Sequence, residues 1–333
     1  MNSKFLTCTF ALTFGLLIGC SKQPEAAAGG GSGGGAEEDV YIDKDLLEGL
    51  KTEAAGIVLD KPTPEKEALG KLLFADKRLS KGGDVSCASC HNLENSGVDG
   101  QAHGTGTGGA KTKRNVPTVL NVGKQMLFAW DGRITNLEEL GQKHVVDPTT
   151  HGLADEAELV AKLNAIPEAV EGFKKAYGGD AAVSAANFGK AIAAYLRTLT
   201  TRSRWDDYAE GNDKALTSEE KKGLKLFLEN ACQTCHAMRS LGGLMLMKFG
   251  NVKLYASADL GKFEATKVET DKGFFKVPGL ANVEKTAPYL HDGSAKTLEE
   301  TIKLMTVHQF GKDLTDAKAA SIAAFLKALT AKK

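Results

Sequence analysis

The sequence predicts a mostly α-helical chain built from two tandem domains related by internal duplication. Three observations carry that expectation. Apolar residues recur at helical spacing, with Phe188, Ile192, Tyr195, Leu196 and Leu199 forming one stripe and Ile322, Phe325, Leu326 and Leu329 another. Several short segments reappear in the same order at one fixed offset. Finally, a Cys-x-x-Cys-His pentapeptide stands once in each half, at residues 87–91 and 232–236.

Taken in chain order, the first element is a targeting segment. Lys4 precedes an apolar run over 5–19 that is too short to span a membrane and suits a signal peptide. Leu17-Ile18-Gly19-Cys20 resembles the lipobox of bacterial lipoproteins, so residues 1–19, including Cys8, are expected to be removed and Cys20 lipidated. Multiple acyl chains on that cysteine would hold the protein to a membrane. Ser21 favours the outer membrane, with the protein itself in the periplasm. Residues 20–40 form the lipidated start and a linker whose 26–35 stretch is almost entirely Ala, Gly and Ser, a flexible tether. About 20 such residues would reach roughly 25 Å.

The two domains are expected over 41–205 and 206–333. Val116-Pro117-Thr118-Val119-Leu120-Asn121-Val122 matches Val277-Pro278-Gly279-Leu280-Ala281-Asn282-Val283. Trp130-Asp131-Gly132 matches His291-Asp292-Gly293, and Leu137-Glu138-Glu139 matches Leu298-Glu299-Glu300. All three pairs share an offset of 161 residues (277 − 116, 291 − 130, 298 − 137). Before each pentapeptide, Gly70-Lys71-Leu72-Leu73-Phe74 echoes Gly223-Leu224-Lys225-Leu226-Phe227. Helix starts are marked at Thr217-Ser218-Glu219-Glu220, at Thr297 with Glu300, and over 313–315, while the Gly-rich 97–109 stretch reads as a loop. Forty-two basic and 42 acidic residues cancel, which argues against a nucleic-acid partner and against strong electrostatic steering.

Cys-x-x-Cys-His is the attachment signature of a c-type haem. Cys87 and Cys90, and again Cys232 and Cys235, would form thioethers to the porphyrin, leaving His91 and His236 as the proximal iron ligands. Paired zinc-ribbon cysteines usually lie only ~15–20 residues apart. A thioredoxin-like dithiol needs one pair and no following His. Disulfide pairing is the remaining alternative in an oxidising compartment. The expectation is therefore two covalently attached haems in two cytochrome c-like domains.

The string Leu69-Gly70-Lys71-Leu72-Leu73-Phe74, then Arg78-Leu79-Ser80, the first pentapeptide, Arg114-Asn115-Val116-Pro117-Thr118 and Trp130-Asp131-Gly132-Arg133 resembles the bacterial dihaem cytochrome c peroxidases. So does Thr286-Ala287-Pro288-Tyr289-Leu290-His291-Asp292-Gly293-Ser294, followed by Met305 and His308-Gln309. The likeness runs from about residue 44 to 330. It implies reduction of hydrogen peroxide to water with electrons from a small periplasmic cytochrome c or copper protein. The C-terminal haem would receive the electrons and the N-terminal haem would reduce the peroxide. Two electrons are needed for the O–O bond, which is why a second, high-potential haem accompanies the first. The related dihaem enzymes that mature tryptophan-derived quinone cofactors share the fold.

The resemblance makes Met305 the distal ligand opposite His236, a pairing that raises the potential. It makes Trp130 an electron relay between the haems, and Asn115, Thr286 and Pro288 the ligands of a bridging calcium ion. It also leaves room for a homodimer. The N-terminal half departs from the pattern: the family's acidic residue falls on Thr150, beside His151, its glutamine on Leu140, and an arginine on Ala281. His103 is the histidine of the Gly-rich loop. The repeat offers another candidate, since 305 − 161 gives 144 and residue 144 is His. His144 is expected over the first iron, either as a ligand or as an acid/base catalyst. Two readings compete with peroxidase: a dihaem electron carrier or redox sensor without peroxide turnover, and a protein-modifying dihaem oxidase, which Met305 disfavours.

Overall fold

The computed structural model describes residues 40, 42–53, 62–179 and 182–332. The signal peptide, Cys20 and the 26–35 tether lie outside the described residues. Among the described residues no helix is long and apolar enough to cross a membrane.

Helices dominate: α1 (Lys44–Lys51), α2 (Pro64–Ala75), α3 (Cys87–Cys90), α4 (Leu137–Val145), α5 (Glu156–Asn164), α6 (Pro167–Tyr177), α7 (Ala185–Thr198), α8 (Arg204–Ala209), α9 (Ser218–Glu229), α10 (Phe263–Thr266), α11 (Leu298–Phe310) and α12 (Asp316–Lys327). Strands β1 (Leu246–Lys248) and β2 (Phe274–Lys276) pair antiparallel, with Leu246 opposite Lys276 and Lys248 opposite Phe274. The helices begin where side chains can take up free N–H groups. Thr217 and Glu220 close a capping box on α9, and Thr297 and Thr315 accept the Glu300 and Lys318 amides at the starts of α11 and α12.

Two apolar clusters form the interior. The first gathers Leu69, Leu73, Phe74, Leu159, Phe173, Phe188, Ile192 and Leu196, so the 188–199 stripe faces α2 and α4. The second gathers Trp205, Leu224, Phe227, Ile322, Phe325, Leu326 and Leu329. Ile42, Leu47 and Leu50 also belong to the second cluster, although they stand at the N-terminal end of the described chain.

Each cluster is organised by one close helix crossing. A Cβ at Gly70 of α2 would lie 2.1 Å from the Ala191 carbonyl oxygen of α7, and one at Gly223 of α9 would lie 2.0 Å from that of Ser321 in α12. Only glycine lets these backbones approach so far. The upstream echo in the sequence thus marks the same packing device used twice.

Local geometry also recurs at the 161-residue offset. Phe128 bridges Ile134 and Tyr289 bridges Ala295. Asn121 (φ 59°) and Asn282 (φ 62°) are both left-handed, each followed by a short 3₁₀ turn. Their amide nitrogens donate to one hydroxyl, that of Thr201, at 2.8 and 3.0 Å.

A two-chambered candidate haem site

Each pentapeptide is wound into a single tight turn. Ser86 and Ser89 cap α3 reciprocally, and the His91 amide donates to the Cys87 carbonyl at 2.8 Å. In the second copy the His236 amide donates to the Cys232 carbonyl at 2.9 Å. Cys-x-x-Cys-His spacing therefore brings two thiols and an imidazole to the same side of each turn.

Both imidazoles are oriented by a backbone carbonyl. His91 Nδ1 lies 3.3 Å from the Gly97 oxygen, and His236 Nδ1 lies 3.1 Å from that of Leu241. A carbonyl oxygen can only accept, so Nδ1 carries the proton and the Nε2 lone pair is left free to bind a metal. Burial pulls the His91 imidazole down to about 4 and also lowers His236, keeping both neutral. Burial likewise pushes the Cys87 and Cys232 thiols up to about 12. Thiols raised in this way are not the low-pKa pairs of a redox dithiol. Among the described residues these four motif cysteines are unpaired.

Cys87, Cys90 and His91 open into a cavity of about 530 Å³, within the roughly 300–1,000 Å³ typical of ligand and cofactor sites. Cys232, Cys235 and His236 open into a narrower one of about 210 Å³. Met305, on the same face of α11 as the buried Leu298 and Ile302, lines this second cavity with His236. In each chamber two thiols and a neutral imidazole face a largely apolar space, a donor set that fits a covalently held haem.

The structure also sorts the histidines of the first half. His144, in the last turn of α4, lines the first cavity with its Nδ1 3.2 Å from the Leu140 carbonyl oxygen. Burial lowers its pKa and favours the neutral ring. It is close enough to His91 that charging it would further disfavour a proton there. His151 lines the same cavity and is only 5% exposed; its Nε2 lies 3.8 Å from Cys87 Sγ and its Nδ1 has no partner among the described residues. The Thr150 hydroxyl donates to the His144 carbonyl, and Leu140 contributes an apolar wall. His103 is exposed on its loop, with Nδ1 3.1 Å from the Thr112 oxygen, and does not line the cavity.

The two cavities meet at Trp130, which lines both. Its indole N–H donates to the Asn115 carbonyl at 2.8 Å, and its ring stands edge-on to His291 with centroids 6.4 Å apart. Asn115, Thr286 and Pro288 all line the second cavity. The Asn115 side-chain amide donates to Gln101 and the Thr286 hydroxyl to Val283. Sequence reasoning passed over two residues at this junction, Gln125 and Lys276. A lone lysine inside the apolar run 274–278 was the available signal, because lysine is rarely buried without a partner.

A family model described as di-haem cytochrome c peroxidase matches residues 64–214. Cytochrome c551 peroxidase of Nitrosomonas europaea is 38% identical over 278 residues, covering 80% of this chain and 81% of that one. The chain belongs to the di-haem cytochrome c peroxidase family. It is an oxidoreductase of the cytochrome c peroxidase class, and membership implies two c-type haems. Cytochrome c peroxidase Ccp of Escherichia coli (strain K12) is 40% identical over 271 residues; that alignment covers 80% of this chain and 58% of the longer protein. Among solved structures, a MauG-like protein associated with microbial copper homeostasis superposes with a TM-score of 0.72 at 31% identity, covering 83% of this chain and 92% of that one.

Proposed function

We propose that this member of the di-haem peroxidase family reduces hydrogen peroxide to water in the periplasm, anchored through a lipidated Cys20. Its electrons would come from a small cytochrome c or copper protein. The observation that carries the reading is the pair of chambers, each with its own Cys-x-x-Cys-His turn, that meet at one tryptophan. The reaction is H₂O₂ + 2 e⁻ + 2 H⁺ → 2 H₂O, and the bound haems would supply the electrons and the iron at which the O–O bond breaks.

The rest of the task falls to the chain. In this reading Cys87 and Cys90, and Cys232 and Cys235, hold the two groups. His91 and His236 present Nε2 from fixed tautomers, and Met305, which lines the same cavity as His236, would make the second chamber the high-potential, electron-receiving one. Trp130 relays electrons across the junction. His144 takes the place of the family's acidic group: with Nδ1 turned to Leu140, its Nε2 can accept a proton from one peroxide oxygen and return it to the other. Asn115, Thr286 and Pro288 would ligate a calcium ion beside the junction. The recurring geometry at the 161-residue offset supports a duplicated ancestry for domains 41–205 and 206–333, with 42–50 crossing to pack in the second core.

A second reading has one specific observation in its favour. His144 stands on a regular helix rather than on the Gly-rich loop, where a ligand could swing away. If it binds the iron permanently, the protein is an electron carrier or sensor. Steady-state peroxide consumption by the half-reduced protein separates the two. Turnover far above that of free haem is expected, and none above it would overturn the peroxidase reading.

A further inference from the structure

Lys276 is the one cation that lines both cavities among the described residues. It ends β2, opposite Leu246 of β1, and its backbone N–H donates to the Trp130 carbonyl at 2.7 Å. Strand pairing and the tryptophan together fix where its side chain starts. That side chain cannot reach water, since the residue is only 6% exposed. Its ammonium donates to the Gln125 amide oxygen at 2.7 Å, and no carboxylate of the described chain forms an ion pair with it.

Burying an ammonium against one neutral amide is expensive, and buried charges in folded proteins are paired or bound to an ion. A largely buried cation of the first cavity's lining follows that rule: Arg114 is clamped by the carboxylates of Asp131 and Asp259. Lys276 is the exception, and it sits where the edges of two cofactors would converge. Each haem carries two propionate carboxylates on its periphery, which supply the missing charge. We propose that Lys276 is the counter-ion of a haem propionate at the junction of the two chambers, a positioning residue that biases the haem potentials toward the reduced state. The inference rests on the reading that haems fill both chambers. Burial draws the ammonium down to about 8, which leaves it mostly charged at neutral pH.

The electrostatic consequence has a definite sign. A fixed positive charge near an iron opposes the ferric state, so removing it should make that haem easier to oxidise. The test uses the purified dihaem protein and two neutral variants, Lys276→Met, which keeps the length of the stem, and Lys276→Gln, which keeps a hydrogen bond to Gln125. Haem content per chain is measured first. Fewer than two haems in the unaltered protein would mean the haem reading itself has failed, a result separate from the one sought. Spectroelectrochemical titration of each haem at pH 7 then reads the effect. Both variants should raise the oxidised-to-reduced ratio of at least one haem about tenfold at fixed potential, a fall of about 59 mV for a one-electron couple. Unchanged potentials, an upward shift, or a shift in Lys276→Met alone would overturn the proposal. If Lys276→Met does not accumulate, Lys276→Gln decides by the same criterion.

Discussion

Replacing His144 with alanine asks whether the first chamber works on peroxide. The side chain's structural contribution is small. Its ring makes one hydrogen bond, to the Leu140 carbonyl within its own helix, and it stands in the last turn of α4. Losing that bond costs about 0.5–1.5 kcal/mol, and alanine's better helix propensity returns about half a kcal/mol. A net change of at most about 1 kcal/mol leaves a chain of this size folded, with Tm lower by only a few degrees. The catalytic effect should be far larger. A positioned acid/base group contributes about 10²–10⁴-fold, which at 1.36 kcal/mol per decade is about 2.7–5.4 kcal/mol of barrier. The assay is stopped-flow peroxide decay by half-reduced protein, with optical and EPR spectra of the first haem recorded alongside. Slower O–O cleavage with an unchanged spin state would make His144 the proton carrier. Conversion of a low-spin iron to a high-spin form would make it a ligand and favour the electron carrier. His103→Ala is the control and should be silent, because that ring is exposed and away from the cavity. If His144→Ala changes neither spectrum nor kinetics while His103→Ala opens the iron, the inference from the repeat is refuted.

Two further outcomes follow from the same geometry. With His236/Met305 ligation the second haem should titrate above the first by on the order of hundreds of millivolts, and Met305→His should collapse that gap; haems that titrate together in the unaltered protein would mean Met305 is not bound to iron. Acid stability should carry a signature of Asp259: burial is the largest single influence and works against its charge, but the hydrogen bonds from Arg114, that of the Gly261 N–H and the Arg114 charge together overcome it and hold the carboxyl at about 2. A depressed acid of this kind stabilises the fold above its unfolded value of about 3.9 and loses that contribution as pH falls toward 2, an upper figure of about 2.5 kcal/mol. Urea midpoints between pH 5 and 2 should therefore fall less steeply in Asp259→Asn, and an identical slope would contradict the assignment.

Much of this molecule is written locally in its sequence. The caps at Thr217, Thr297 and Thr315 start helices because a hydroxyl and a free N–H lie within one turn of each other. The two stripes fall on α7 and α12, with only Leu199 and Leu329 just past the helix ends, because helical periodicity is itself a short-range property. The two Cys-x-x-Cys-His turns bring thiols and imidazole together through spacing alone, and the 161-residue repeat reappears as matched bridges and left-handed asparagines for the same reason. Family resemblance was legible in those strings too. What the tertiary structure decided involves partners far apart in the chain. Lys276 meets Gln125 across 151 positions and Arg114 meets Asp259 across 145, and neither pairing has a local signature. His144, on α4, which packs against α7, lines the first cavity with His151, while His103 stays outside although Gly106 of its loop reaches the cavity wall. Spacing could select the turns that hold each cofactor, but only the packing of one half against the other could bring Trp130 and a buried cation to the place where the chambers meet.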